Sequence, residues 1–136
     1  MARPIAVPSL PWTEVATLPL IDVTYDNSLT QDSLRRHGEV LPAIVAEAVD
    51  CPEEPCVGPP GTGDIEIRFC AKNAFDVGEL NCVIEVRTKL FPSRERDKHR
   101  RVDLIRDRLS STVKIGRFGV WLILSEGAWA QTGEDG

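Results

Sequence analysis

Pro19-Leu20-Ile21-Asp22-Val23-Thr24-Tyr25, followed by Thr30-Gln31-Asp32-Ser33-Leu34, sets the architecture of this chain. Ile21, Val23 and Tyr25 alternate with Asp22 and Thr24, the period of two expected of a half-buried strand. Asp26-Asn27-Ser28 is a turn cluster, and Thr30 is a good helix N-cap. Leu34, Leu41, Ile44, Val45 and Ala48 then recur at three- and four-residue spacing, which predicts an amphipathic helix to about Val49. Pro42 inside that helix predicts a kink near His37–Gly38. The same plan returns 63 residues later, in Cys82-Val83-Ile84-Glu85-Val86-Arg87-Thr88 and Ser93-Arg94-Glu95-Arg96-Asp97. Ile21 maps to Ile84, Val23 to Val86, Asp22 to Glu85 and Thr30 to Ser93. The chain therefore reads as two strand-helix-strand units in tandem.

Working outward, Asp64 to Ala71 alternates Ile65, Ile67 and Phe69 with Glu66 and Arg68, a second strand. The third runs from Cys82 to about Leu90, with Ile84, Val86 and Thr88 opposite Glu85, Arg87 and Lys89. Pro92 and Ser93 open a second helix reaching about Leu109, with Val102, Ile105 and Leu109 as its apolar stripe. Arg94, Arg96, Lys98, Arg101 and Arg108 crowd its other positions and read as a solvated charged surface. Gly119 to Ser125 is a fourth strand, apolar on both faces. Gly58-Pro59-Pro60-Gly61-Thr62-Gly63 lacks the lysine and helix start of a phosphate cradle and reads as a connector.

Each strand-helix-strand unit suggests a parallel strand pair. The fold class is α+β: tandem β-α-β units forming a four-stranded mixed sheet with two helices on one face. Ile21, Val23, Ile65, Ile67, Ile84 and Val86 should face the helices. Asp22, Glu66, Arg68, Glu85 and Arg87 should form the other face, either solvated or lining the middle of a small oligomer.

The chain has 136 residues, 42% hydrophobic and 27% charged, which suits one soluble globular domain. A formal charge of −5 argues against a nucleic-acid scaffold. No apolar run approaches the roughly 20 residues of a membrane helix. Without a clean secretory leader, a cytoplasmic location with reduced thiols is expected. Cys51 and Cys56 lack further ligands, because His37 and His99 fall inside helix patterns, so no metal site is expected. Cys70 and Cys82 read as small buried strand residues. Residues 1–18 form a proline-rich extension with Pro4, Pro8 and Pro11. Its Ile5, Val7, Leu10 and Trp12 are apolar enough to lie against a surface.

The tandem plan, with a proline opening the first strand, resembles the tautomerase superfamily, which includes 4-oxalocrotonate tautomerase, macrophage migration inhibitory factor and malonate semialdehyde decarboxylase. The resemblance covers about Pro19 to Trp129. Pro19-Leu20-Ile21-Asp22-Val23 is similar to the family's opening strand. Ala71-Lys72-Asn73-Ala74-Phe75 is similar to the segment ending in a pocket phenylalanine, and Trp121 falls where a pocket tyrosine stands. The resemblance divides the chain into the 1–18 extension and a tautomerase-like domain, 19–136. It implies a homotrimer that needs no cofactor, acting on a small carboxylate or carbonyl compound. It also implies Pro19 as general base, with Arg68, Arg87 and Lys89 holding the substrate between Phe75 and Trp121.

Such a base is the free secondary amine of an N-terminal proline, and an α-amine titrates near roughly 8 before its surroundings act on it. Apolar walls and nearby cations lower that toward neutrality, where it can move a proton alpha to a carbonyl. As written, Pro19 follows Leu18 and its nitrogen is an amide with no basic lone pair. Two expectations follow. One is a tautomerase or isomerase whose mature chain starts at Pro19. The other is a catalytically silent protein of the same fold with a binding or structural role. The family's other pocket positions fall on Leu29, Asp64 and Ile123, and the decarboxylase arginines on Phe91 and Ser93. That reaction is therefore not expected. Cys82 takes the place of Pro19 in the second unit and is expected to pack rather than react.

Overall fold

A computed structural model describes residues 19–55, 65–130 and 132. The 1–18 extension and Cys56 lie outside the described residues. Four strands, β1 (Leu20–Tyr25), β2 (Glu66–Ala71), β3 (Cys82–Lys89) and β4 (Phe118–Ser125), form one sheet in the order β2-β1-β3-β4. β1 pairs parallel with β2 and β3 parallel with β4, while β1 and β3 run antiparallel at the centre. The tandem parallel pairs and the mixed sheet read from the sequence are present.

Helix α1 (Gln31–Val49) follows β1, and α2 (Pro92–Arg96) and α3 (Lys98–Thr112) follow β3. Thr30 caps α1, its hydroxyl accepting from the Ser33 amide at 3.1 Å, with Asp32 in the first turn, where a negative charge suits the helix N-terminus. The helix continues through Pro42 with no break at His37–Gly38. The single second helix expected from the sequence is split at Asp97, whose backbone (φ −124°, ψ 35°) leaves the helical region. The Asp97 carboxylate instead takes both Arg100 and Arg101, and the helix restarts from there.

The helices share one core with the sheet. Ile21 and Val23 of β1 and Ile84 and Val86 of β3 are sealed against Leu41 and Val45 of α1 and Ile105 and Leu109 of α3. Each such side chain contributes about 1.5–3 kcal/mol on burial. Among the described residues, the buried apolar ones run from Ile21 to Ile115, so the chain from Pro19 onward carries this core.

Two parts of the sequence reading need correction. Arg94 and Arg101 are not solvated: they are 2% and 6% exposed. Arg94 donates to the Val49 and Lys89 carbonyls and pairs with Glu54, and Arg101 donates to the Ala48 and Asp50 carbonyls. Together they satisfy carbonyls at the end of α1, where positive charge also suits the helix dipole. Cys70 lies in β2 as expected but is exposed, because β2 is an edge strand and Cys70 points to the side away from the helices. Cys82 is buried, and burial together with the Asp26 charge pushes its thiol up to about 11.

At the opposite end from Pro19, Asn81 ties the strands together. Its amide side chain donates to Asp26 at 2.8 Å and accepts from the Arg117 backbone at 3.0 Å. Gly116 (φ 94°) makes this possible, since a Cβ there would stand 2.7 Å from the Asn81 side-chain oxygen.

Candidate active site

Pro19 opens the central strand. Its carbonyl accepts from the Glu66 amide at 3.2 Å, and Tyr25 accepts likewise from Lys72 at 2.8 Å, so odd-numbered residues of β1 bond toward β2. Even-numbered residues bond toward β3, as Asp26 does to Asn81 at 2.9 Å. Pro19 thus falls where no N–H is needed by β3, a position a proline tolerates. The Leu20↔Arg87 pair, carried one step further, sets Pro19 beside Thr88.

On the face away from the helices, Asp22 stands between two cations. Arg68 Nε lies 3.3 Å from its Oδ1, and Arg87 Nη1 lies 3.1 Å from its Oδ2. Arg87 also reaches Glu85 at 3.4 Å. All four side chains are at least partly exposed, so each pair is worth only about 0–1 kcal/mol and an incoming carboxylate can compete for the arginines. Arg68, Asp22, Glu85 and Trp121 form one row across the four strands. Lys89, two residues beyond Arg87, sits 5.8 Å from the Phe91 ring, whose surroundings also include Arg94 at 5.2 Å.

The remaining expected walls are not gathered at Pro19. Phe75 is 92% exposed in the β2–β3 loop, at the far end of β1. Asx contacts hold that loop: the Phe75 amide donates to Asn73 and the Asn73 amide to Asp76, both at 2.8 Å. Trp121 is exposed on β4, two strands from β1. It borders an open cleft of about 390 Å³ between β4 and α3, with Leu90, His99, Val102 and Leu122. One chain therefore joins Arg68 and Arg87 through Asp22, sets Arg87 next to the head of β1, and leaves Phe75 and Trp121 apart from them.

Sequence reasoning missed Asp22 as the link between the arginines. Its place on the Glu85–Arg87 face was the available signal. It also missed Arg94 and Phe91 under Lys89, for which the sequence carried no distinguishing pattern. Among the described residues, no group of three or more His, Cys, Asp or Glu is placed to hold a metal ion.

No protein-family model matches the sequence, and no curated protein matches it. Solved structures do match. A malonate semialdehyde decarboxylase superposes with a TM-score of 0.61 over 85% of this chain and 91% of its own, at 12% identity. A fused 4-OT symmetric trimer gives 0.55 over 78% and 85%, at 14% identity. A macrophage migration inhibitory factor-like protein from Entamoeba histolytica gives 0.55 over 84% and 95%, at 12% identity. The chain has the tautomerase-superfamily fold. In the terms of that fold, Pro19 heads the first strand of the first β-α-β unit and Cys82 heads the second. Among the described residues, no further strand pairs with the outer side of β2 or β4.

Proposed function

We propose that this protein is a tautomerase or isomerase that moves a proton alpha to the carbonyl of a small keto or enol acid, with Pro19 as general base once it is the mature N-terminus. The observation that carries this reading is the placement of Pro19: it heads the central strand of a tautomerase fold, with Arg87 on the neighbouring residue pair. Liberated, the Pro19 nitrogen takes a proton from the carbon beside the substrate carbonyl and returns it elsewhere on the same molecule. Arg87 and Lys89, with Arg68 behind them, hold the carboxylate and the enolate charge as it develops. Phe75 and Trp121 contribute walls only if another copy brings them to Pro19. We therefore propose a homotrimer, in which the outer edge of β2 in one copy meets the outer edge of β4 in the next. A cytoplasmic location belongs to the same proposal; among the described residues, no helix is long and apolar enough to cross a membrane.

A second reading is favoured by Leu18, which acylates Pro19 in the chain as encoded. It gives a catalytically silent tautomerase-fold protein, with the 1–18 extension altering the pocket and leaving a binding or structural role. One experiment separates the two. The intact mass of the protein from its native source fixes the N-terminus, and enol-to-keto conversion is assayed for chains beginning at Ala2 and at Pro19. Turnover by the Pro19 form alone supports the enzyme. A folded Pro19 form as inactive as the longer one leaves the silent reading.

A further inference from the structure

We infer that the Thr88 hydroxyl anchors the keto oxygen of a small 2-oxo acid bound at the Pro19 end of the sheet, and so sets a preference for a carbonyl over an alkyl group at that position. The inference rests on the proposed function for where the ligand lies, but not on proton transfer. Thr88 stands at a core-facing position of β3, in the series Cys82, Ile84, Val86, Thr88, where the other members are apolar or a thiol. It is 3% exposed, and its Oγ1 is buried with no hydrogen-bond partner among the described residues. A buried hydroxyl left unpaired is unfavourable, and valine would fill the same volume without that cost.

The register sets Thr88 beside Pro19, one step beyond the Leu20↔Arg87 pair. Because Leu20 and Arg87 are the hydrogen-bonded pair, Pro19 and Thr88 fall at a non-bonded position, where opposed side chains come closest. Pro19 is partly buried, whereas Thr88 beside it is buried. The flanking residues Arg87 and Lys89 are cationic and point to the opposite face. A ligand lying in the plane of the sheet beyond the head of β1 would have the cations of one face and the Thr88 hydroxyl of the other on either side of it. That pattern fits a carboxylate with an adjacent carbonyl. A site with an unpaired buried polar group discriminates strongly against a ligand that cannot pair with it.

The test compares pyruvate with methacrylate, in which a methylene replaces the keto oxygen. Binding to the full chain and to the chain beginning at Pro19 is measured by calorimetry or ligand-observed NMR, for the parent protein, Thr88→Val and Thr88→Ser. The expected result is tighter binding of pyruvate than of methacrylate in at least one form. Thr88→Val weakens pyruvate about tenfold and leaves methacrylate unchanged, Thr88→Ser retains the preference, and Thr88→Val melts a few degrees higher than the parent. Four results overturn the inference: no pyruvate binding to either form, equal affinities for the two acids, unchanged pyruvate affinity in Thr88→Val, or equal loss in Thr88→Ser. Proton transfer is read separately, as deuterium exchange at the pyruvate methyl. Its absence from the chain beginning at Pro19 counts against the proposed catalysis while leaving a Thr88-dependent affinity intact.

Discussion

The Arg94 guanidinium donates to the Val49 carbonyl at 2.7 Å, joining residues 45 positions apart and closing the end of α1 onto the second half of the chain. Its other nitrogens reach the Lys89 carbonyl at 2.9 Å and Glu54 at 3.0 Å. Replacing Arg94 with methionine keeps the apolar stem but withdraws these donors from a buried setting. The expected loss is about 3–5 kcal/mol, read as a lower denaturant midpoint with an unchanged m-value. An unchanged midpoint would show that the buried charge contributes no net stability.

Gly116 is strained for any other residue by both its dihedral angle and the proximity of Asn81. Gly116→Ala is expected to destabilise by about 1–3 kcal/mol, and removing the opposing side chain in Asn81→Ala should relieve only the steric share. A double-mutant cycle by thermal melting measures that coupling.

Acid should weaken the fold through Asp26 and Asp97. Hydrogen bonds from Ser28 and Asn81 lower the Asp26 carboxyl below its ordinary 3.8, and hydrogen bonds from Arg101 and Arg100 lower that of Asp97. Both folded values are depressed, so their stabilisation is fully present above the unfolded value and is lost as pH falls from about 4 through the lower folded values. Asp97→Asn should flatten that part of a stability–pH curve, and equal slopes in the two proteins would remove Asp97 from the account.

Thiol labelling should follow exposure. Cys70 is exposed, whereas Cys51 and Cys82 are buried and burial raises both thiols. Iodoacetamide under native conditions, followed by peptide mass mapping, should modify Cys70 well before Cys51 or Cys82. Prompt labelling of Cys82 would mean that the core opens readily at the start of β3.

Kinetics of an active Pro19 form would distinguish the two arginines. Arg87 adjoins the head of β1, whereas Arg68 lies across Asp22 from it. Arg87→Ala should raise KM for a keto acid about tenfold, with a smaller effect from Arg68→Ala. The reverse order would move the substrate toward β2.

Much of this arrangement could be read from side-chain alternation. β1 has the bounds that the pattern in Leu20–Tyr25 predicts, and Asp22, Arg68, Glu85 and Arg87 share a face because strand period fixes it. Arg94 and Arg101 were illegible because a long cation has the same spacing whether it meets water or a carbonyl from residues 48–50. The break at Asp97 was hidden for a related reason: the carboxylate partners that end one helix and start another look, in sequence, like ordinary surface ion pairs. The position of Phe75 depends on how a loop folds back, which periodicity does not address, and the exposure of Cys70 depends on strand order.

The antiparallel meeting of β1 and β3 gives the monomer an approximate internal dyad, and that dyad sends the two strand heads to opposite poles. Cys82, the counterpart of Pro19 at the second pole, lies opposite Tyr25 and is sealed inside. A half-chain repeated without change would present the same chemistry twice, facing in both directions. In this chain a buried sulfur fills one pole, so any reactivity gained from freeing a strand head is confined to the other.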